Sequence, residues 1–531
     1  MSQLNYKMKL LDHRIIAVLF FLLTLQSCSV LRHYFAGEGD VSPLDYGLAS
    51  AKTGVDRYNI LFDAHKSALE KGVNVDYSGL DTIFLEIPKK SASIPLTQYN
   101  DFKGCVFVVN NTAKNCWLFS NIETETPINV PKELIDTGII CSLNSLNRGR
   151  YILIIEDNNP WVLNRKGHSY GHQRKDILLI ENGIAKNSVI MPYNNEYSSP
   201  TCAYVKVKPE PLVLKNITIV RDKKCDFVTQ IANISGFDKV NISNISIHTP
   251  QSELVDDRGI RINNCTNVEL RDVHIDGTYS QKNHSGYGIT LNNIWNFKAV
   301  KLFGKGNWGI FGNNNINVAT ITDSEINRFD IHCYGRDVTF KGVKFVNLYN
   351  QFTSTYGTIR FENCTFSHFT PILYEKSYNT YVPHDVVFNK CDFVLDSKHF
   401  YLIDAGQLNV QKNSRTELSD KCWPNVEINN LTVITDGQQK DFNVFKFSKE
   451  AGFNGVVHSI NKIIINGLYF ECPEGQQPMS FNLVNDNVST ENTVFIYVNR
   501  LEATPNSILN IRFNEGADNN RVEIHHSNIN N

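Results

Sequence analysis

Hydrophobic and polar positions repeat along this chain in units of eight residues. Each unit contains two short runs of alternating apolar and polar residues with one polar residue between them, as in Val240–Ile247 and Val268–Ile275. Alternation buries one side of a strand, and the shift of phase at the polar residue indicates that the chain turns there. The expected corner residues are Asn216, Asn244, Asp272, Ala299, Asp323, Gly342, Asn363 and Lys390.

Successive corners lie 19 to 28 residues apart. A period of this size, with strands in every repeat, is typical of a solenoid in which each repeat forms one coil. We therefore predict an all-β fold, a single-stranded right-handed parallel β-helix. A solenoid also accounts for a chain of 531 residues without several globular domains, although single globular cores stop growing at about 250–300 residues.

One helix is predicted ahead of the repeats, over residues 56–71, and Gly72 is placed to end it. Strands are expected at 73–77 and 83–87. An amphipathic helix in this position would cover the open apolar end of the solenoid. Its apolar positions fall on one face: Ile60, Leu61, Ala64, Ala68 and Leu69.

The order of these elements resembles a known family. Gly54-Val55-Asp56, a helix, a glycine, a short strand and then Ile87-Pro88 are similar to the amino-terminal cap of right-handed β-helix proteins of the pectate-lyase superfamily. The resemblance implies the architecture of residues 45–531, while function depends on the site rather than on the fold.

The amino terminus carries an export signal. Basic residues precede an apolar run of 11 residues, 15–25, which is too short to span a bilayer but suits a signal peptide. Leu25-Gln26-Ser27-Cys28 resembles a bacterial lipoprotein signal, which implies lipidation of Cys28; an ordinary secretory peptide is the alternative. We expect a lipid-anchored protein of the bacterial cell envelope, at the outer membrane, on its periplasmic or its surface side.

The domain organisation follows from these features. Residues 1–28 form the signal peptide, residues 29–45 form a tether, and residues 46–531 form the β-helix domain. Within that domain we expect an amino-terminal cap to about residue 120 and loop-rich carboxyl-terminal coils from about residue 397. Longer loops in those coils are expected to wall a binding groove.

Composition narrows the list of partners. The formal net charge is -2 and 42% of residues are hydrophobic, so no basic surface for a polyanion is indicated and no nucleic-acid partner is expected. Among the 12 cysteines, Cys364 and Cys391 follow corners and are expected to stack in the core. Cysteine pairs that remain open for a disulfide are Cys105 with Cys116 and Cys202 with Cys225.

A second set of repeats carries the candidate chemistry. Arg258-Gly-Ile, Tyr287-Gly-Ile, Trp308-Gly-Ile and Phe329-Asp-Ile align, which predicts an inward stack of Ile260, Ile289, Ile310 and Ile331. Gly259, Gly288, Gly309 and Asp330 then point outward, and Arg261, Thr290, Phe311 and His332 form a second outward column. Stacked glycines predict a surface channel that ends at Asp330 and His332.

The segment 327–337 is the first candidate for catalysis, because a carboxylate and an imidazole two residues apart on a strand can act on one bound sugar as acid and base. The alternative is a structural ladder of charged side chains. The stretch also resembles β-helix domains of phage tail proteins and their bacterial relatives. The predicted catalytic residues are Asp330, His332, Arg328 and Tyr334, and the predicted substrate-binding residues are Arg261, Tyr287, Trp308, Phe311 and Arg336.

A calcium site is a weaker expectation. Adjacent acids can bind calcium or share a proton, and Asp256-Asp257 resembles the double aspartate of β-helix polygalacturonases. No cysteine or histidine cluster in the sequence has zinc spacing, and no cofactor is required by any motif.

Two functions remain in view. In the first, the protein is an exported polysaccharide lyase or glycoside hydrolase, and we expect its glycan to be acidic. Elimination would use Arg261 or Arg328 to neutralise a uronate, whereas hydrolysis needs two carboxyl groups. In the second, the protein is a carbohydrate-binding or adhesive surface lipoprotein without catalysis.

Overall fold

The fold is a parallel β-helix, seen in a computed structural model of the chain. The structure describes residues 39–88, 92–111, 116–140, 142–162, 172–189, 193, 199–222, 230–249, 258–277, 287–305, 309–346, 349–352, 355–373, 384–396, 398, 400–407, 424–437, 441–448, 462–473, 479–484, 494–503, 509–512 and 522–526. Thirty parallel strands form one continuous wound sheet, and each strand pairs with the equivalent strand of the next coil. The predicted all-β solenoid is therefore confirmed.

Each coil contributes strands to three faces. The first and second faces contain the two halves of the eight-residue unit, and the third face contains the second set of repeats. Several strands bend through a corner and serve both the first and second faces: Tyr99–Asn111, Leu212–Arg221, Lys239–Thr249, Asn267–Gly277, His384–Val394 and Asn425–Ile434.

The remaining strands of the solenoid are assigned by face. The first face also contains Gly335–Lys341, Thr355–Glu362, Lys462–Ile465, Val494–Val498 and Val522–His526. The second face also contains Thr82–Ile87, Glu325–Ile326, Lys344–Val346, Thr365–Ser367, Leu468–Glu471 and Leu501–Ala503. The third face contains Ile94–Pro95, Trp117–Asn121, Gln230–Ser235, Arg258–Cys265, Phe329–Cys333, Asn350–Phe352, Ile372–Leu373, Tyr401–Gln407, Asp441–Ser448, Met479–Val484 and Leu509–Arg512. Two long strands begin on the third face and continue past it. Tyr287–Lys305 extends over the first and second faces of the next coil, and Gly309–Thr322 extends over the first face.

The eight-residue units lie in register, as the pattern predicts. Val240 pairs with Val268, and Ile247 pairs with Ile275. Their side chains enter one core that continues from coil to coil. Cys364 and Cys391 are buried in this core at the position after the corner, as expected. Cys105 carries a free thiol, so the bridge to Cys116 is wrong; Cys202 is also a free thiol, and Cys225 lies outside the described residues.

The corners have left-handed backbone conformation, which explains their polar residues. Asn216, Asn244 and Asp272 have φ values of 59°, 51° and 51°, and asparagine and aspartate tolerate this region better than most residues with a side chain. One corner differs from the prediction. Lys301, with φ of 54°, forms the turn instead of Ala299, which lies in the core opposite Leu270.

The predicted helix closes the amino-terminal end of the core. It spans Gly54–Lys71, with Thr53 and Asp56 forming a reciprocal capping box and Gly72 ending it at φ of 69°. Leu61, Ala64 and Ala68 are buried as expected, whereas Leu69 is exposed. Buried His65 contacts the Tyr77 hydroxyl at 2.8 Å, and burial lowers its pKa to about 4. Residues 73–77 form an isolated bridge at Val75 rather than a strand.

A second, antiparallel sheet is inserted between Asn121 and the strand that begins at Leu212. The eight-residue pattern does not predict it. The insertion has its own apolar core. Its elements are strands Thr126–Ile128, Arg150–Val162, His172–Glu181, Ile184–Ala185 and Pro200–Lys206, helix Lys132–Asp136 and the 3-10 turn Asn144–Leu146. Short 3-10 turns at Pro43–Tyr46 and Leu48–Ser50 precede the capping helix.

In the described part of the chain, no helix has both the length and the apolar character needed to cross a bilayer.

Candidate functional site

Strand pairing on the third face differs from the predicted alignment after the second repeat. Ile260 pairs with Ile289, as expected. Ile289 then pairs with Phe311 instead of Ile310, and Phe311 pairs with Phe329. A slip of one residue exchanges the inward and outward sides of a strand. The inward stack is therefore Ile260, Ile289, Phe311 and Phe329.

This register corrects one predicted substrate-binding residue. Phe311 is fully buried and packs edge-on against Phe297 and obliquely against Phe329, with ring centroids 5.6 Å and 4.9 Å away. An aromatic ring inside the solenoid cannot stack on a bound sugar, so Phe311 is a core residue. The outward column contains Arg261, Thr290, Gly312 and Asp330 in successive coils.

A side chain fills the Gly309 end of the predicted glycine channel. The ring of Tyr287 lies over Gly309 and Gly312, and a Cβ at Gly309 would lie 2.9 Å from Tyr287 Cε1. A Cβ at Gly312 would overlap the same ring. Gly309 and Gly312 therefore leave space for the ring of Tyr287, and its hydroxyl contacts Asp330.

Four of the predicted site residues form one hydrogen-bonded cluster. The Tyr287 hydroxyl donates to Asp330 Oδ2 at 2.8 Å, and it lies 2.9 Å from His332 Nε2. Arg328 Nε donates to Asp330 Oδ1 at 2.5 Å, and Arg328 Nη2 donates to Gln351 at 3.0 Å. Because the single Tyr287 proton goes to the carboxylate, the tyrosine oxygen accepts from Nε2–H, which assigns the proton of His332 to Nε2.

The cluster has a buried ionic layer and a partly exposed outer layer. Asp330 is inaccessible and Arg328 is 2% exposed, whereas the His332 side chain is 18% exposed. Burial alone would raise the pKa of Asp330, but the charge of Arg328 and the interactions with His332 outweigh it and lower that pKa. Asp330 is therefore an ionised, structural carboxylate that orients Tyr287 and His332.

A β-bulge brings Asp330 and His332 close together. Asn313 pairs with Ile331 and Asn314 pairs with Cys333, so His332 is the extra residue of its strand. The bulge re-aims the imidazole, and Nε2 lies 3.8 Å from Asp330 Oδ2. An unbulged strand would separate these side chains by about 6.6 Å.

The other predicted residues lie elsewhere. Tyr334 occupies the corner after the third face and donates to the Gln173 carbonyl of the insertion at 3.0 Å. Arg261 lies over the Trp117 ring at 5.3 Å, three coils from Asp330. Arg336 pairs with Asn317 on the first face, away from the cluster. Tyr334 thus links the solenoid to the insertion. Arg261 and Arg336 are not part of the cluster around Asp330.

Some expectations fall outside the described residues. These are the roles of Trp308, of Asp256 and Asp257, and of Cys28. Within the described residues, no three histidine, cysteine or acidic side chains are grouped so that they could hold a metal ion.

A cleft of about 590 Å³ lies beside the cluster, between the solenoid and the insertion. Two columns of asparagine line its solenoid wall. Asn292 donates to Asn263 at 2.7 Å and accepts from Asn314 at 3.1 Å. The neighbouring column repeats the pattern at the corner: Asn293 donates to Asn264, and Asn315 donates to Asn293. We call this space the amide cleft.

The insertion forms the opposite wall of the amide cleft. Residues 122–125 and the side chains of Gln173 and Lys175 line it. Glu123 forms an ion pair with Lys208 at 2.5 Å, and its backbone carbonyl accepts from Ser235. These contacts, with the Arg150–Asp238 ion pair, hold the insertion against the solenoid and fix the width of the cleft.

The repeat pattern does carry a signal for this site. Asn-Asn pairs occur at 263–264, 292–293 and 314–315, at the sequence separations that stack them in adjacent coils. Apolar periodicity does not reveal the pairs, because each consists of an outward position of a strand and the corner residue that follows it. The insertion that faces them shares no pattern with the repeats.

Comparisons with known proteins agree with the fold. No protein-family model matches the chain, and no curated protein matches it. Among solved structures, the tailspike protein gp49 from Pseudomonas phage LKA1 is similar with a TM-score of 0.52 at 12% identity, over 87% of this chain and 81% of that chain. The Gp54 tailspike of Acinetobacter baumannii bacteriophage AP22, in complex with A. baumannii capsular saccharide, gives 0.49 at 12% identity, over 89% and 79%. The tailspike gp61 of Pseudomonas phage phi297 gives 0.43 at 12%, over 83% and 82%.

The similarity to gp49 shows that the fold is a parallel β-helix of the phage-tailspike type. The sequence resemblance to such domains is confirmed at the level of fold. At this identity the likeness describes architecture, and the chemistry has to come from the site.

The seating of Tyr287 on glycine generates a prediction. Gly312→Ala should destabilise the protein by about 1–3 kcal/mol, because the added methyl group overlaps the tyrosine ring. In a Tyr287→Ala background the same substitution should cost much less, since the ring is gone. Thermal and denaturant unfolding of the four proteins measure this coupling; equal costs in both backgrounds would show that Tyr287 does not occupy this position.

Proposed function

We propose that the protein binds a polysaccharide in the amide cleft. The observation that carries this proposal is the pair of asparagine columns along one wall. A side-chain amide has two N–H donors and an oxygen with two lone pairs. The column uses one donor and one lone pair of Asn292, so donor and acceptor capacity remains for a ligand.

The spacing of the columns suits a repeating ligand. Neighbouring coils lie about 4.8 Å apart, so equivalent amides recur at that interval along the solenoid. A polysaccharide presents hydroxyl groups at a regular interval of comparable size and can use the same contact in several coils. The coils from Ser235 to Tyr334 that line the cleft span four steps, or about 19 Å.

Loss of one cleft amide should weaken binding without unfolding the protein. We expect Asn292→Ala to reduce the affinity for a bound polysaccharide about tenfold, as the loss of one or two hydrogen bonds predicts. Binding is measured by isothermal titration calorimetry against glycans selected from a polysaccharide array.

The chain offers a matched control for this variant. Asn466 donates to Asn429 and accepts from Asn499 in an equivalent column that does not line the cleft. Asn466→Ala should therefore leave affinity unchanged while its effect on stability resembles that of Asn292→Ala. Equal losses of affinity in both variants would contradict a site in the amide cleft.

Cleavage of the polysaccharide is a second candidate function. The observation that favours it is the partly exposed imidazole of His332, whose Nε2 lies 2.9 Å from the Tyr287 hydroxyl beside the buried Asp330. An imidazole that is partly exposed, as this one is, can act as a general base toward a bound sugar. In elimination the imidazole takes the C5 proton of a uronic acid, the electrons of that C5–H bond form a double bond to C4, and the leaving glycosidic oxygen takes a proton from the imidazolium or from water.

The structure does not leave Arg328 available as the cation that elimination needs to neutralise a uronate. Arg328 is buried and bonded to Asp330 and Gln351, so its charge is used inside the cluster. Hydrolysis at the same place would need two accessible carboxyl groups, and Asp330 is inaccessible. Binding is for this reason the function the geometry supports best.

A product assay distinguishes cleavage from binding alone. If His332 is catalytic, the protein should release unsaturated uronides with ultraviolet absorbance, and His332→Gln should lower the rate at least a hundredfold with little change in melting temperature. Asn466→Ala serves as the control with unchanged turnover. Binding without unsaturated products or new reducing ends, on every glycan that binds, would remove this candidate.

We further propose that the protein acts in the cell envelope, anchored through Cys28. The support is the sequence of residues 15–28. Growth with an alkyne-labelled fatty acid should label the full-length protein, and Cys28→Ser should abolish labelling and release the protein from membranes. Unchanged membrane attachment of the Cys28→Ser variant would contradict lipid anchoring.

A further inference from the structure

The solenoid wall of the amide cleft is uncharged. Every cleft side chain on this wall is an amide or a hydroxyl: Ser235, Asn263, Asn264, Asn292, Asn293, Asn314, Asn315 and Tyr334. The nearest predicted cation on the same face, Arg261, lies over Trp117 and does not line the cleft. Any net charge on the cleft therefore comes from the insertion.

Two of the three charged residues on the insertion wall are neutralised locally. Glu123 is paired with Lys208 at 2.5 Å, and Lys175 is paired with Glu156 at 2.9 Å. The third, Glu125, is exposed and accepts a long hydrogen bond of 3.4 Å from Asn264 Nδ2. Among the described residues it forms no ion pair. Within the part of the chain that the structure describes, the cleft thus carries one uncompensated negative charge, at Glu125.

We infer that Glu125 makes the amide cleft selective for uncharged polysaccharides, whose sugars present hydroxyl or acetamido groups, and against polysaccharides with carboxylates. This inference rests on the proposed binding function and names its substrate class. A second carboxylate brought into the cleft would be repelled by Glu125, and amides cannot neutralise it as an arginine would. It reverses the expectation of an acidic glycan.

The hydrogen bond from Asn264 connects this charge to the asparagine columns. Asn264 donates to Glu125 and its oxygen accepts from Asn293, so the carboxylate lies at one end of the corner column. A sugar bound over the partly accessible Asn293 would therefore lie one coil from Asn264 and the carboxylate that it holds. Selectivity against charge should be strongest for a carboxylate on that sugar.

The experiment compares polysaccharides that differ only in charge. Uronic-acid polysaccharides and their carboxyl-reduced forms, together with neutral and N-acetylated glycans, are titrated against the full-length protein. We expect the reduced or neutral member of each pair to bind at least tenfold more tightly. Glu125→Gln should raise the affinity for the acidic member about tenfold, which corresponds to about 1.4 kcal/mol, and leave the neutral member within twofold.

Glu133→Gln is the matched control. Glu133 is an exposed residue of the short helix Lys132–Asp136 and does not line the cleft, so the variant changes the net charge equally without changing selectivity. Added salt should narrow the difference between acidic and neutral glycans in the native protein. It should have little effect on that difference in Glu125→Gln.

The outcomes separate this inference from the function on which it rests. If acidic glycans bind as tightly as their reduced forms, and Asn292→Ala weakens both, the cleft binds glycans but the selectivity attributed to Glu125 is wrong. If no polysaccharide binds, or Asn292→Ala has no effect on one that does, the proposed function itself fails. A gain in acidic binding for Glu133→Gln as large as for Glu125→Gln would assign the effect to net charge.

Discussion

The hydrogen-bonded register between parallel coils is the constraint on which the whole structure depends. Each strand pairs with the equivalent strand of the next coil at about 4.8 Å, so every side chain touches the residue at the same position one coil away. Apolar positions then form a continuous core, as Val240, Val268 and Phe297 do. The same rule makes outward polar residues into columns, which no single coil could build.

Those columns explain why asparagine serves two purposes in this fold. At the corners, asparagine accepts the left-handed conformation, as at Asn264 and Asn293 with φ of 51° and 54°. Once stacked, the amide of Asn293 also finds an acceptor in one adjacent coil, Asn264, and a donor in the other, Asn315. The structural requirement of the corner therefore creates a polar wall, and the inserted sheet converts that wall into a cleft by facing it.

The two regions of the site differ in how they use charge. In the cluster, Arg328 and Asp330 neutralise each other beneath Tyr287, which gives rigidity at the expense of access for a ligand. In the cleft, the amides of Asn263, Asn292, Asn293 and Asn314 are partly accessible, and the charge of Glu125 remains exposed. Elimination would require an acidic polysaccharide, whereas the cleft disfavours one, so the charge of the ligand decides between the two candidate functions.

The sequence alone determined the solenoid, because alternation and the polar corners are local features that repeat: the units at 240–247 and 268–275 stack as predicted, and the capping helix ends at Gly72. The sequence also indicated Asp330, His332, Arg328 and Tyr287 as site residues. In the structure these four side chains form one hydrogen-bonded cluster. Only the tertiary structure decided that Phe311 lies in the core and that Asp330 is buried, because a slip of one residue and the bulge at His332 depend on packing between coils. It alone decided that the inserted sheet faces the asparagine columns, since contacts between segments so distant in the chain leave no local pattern.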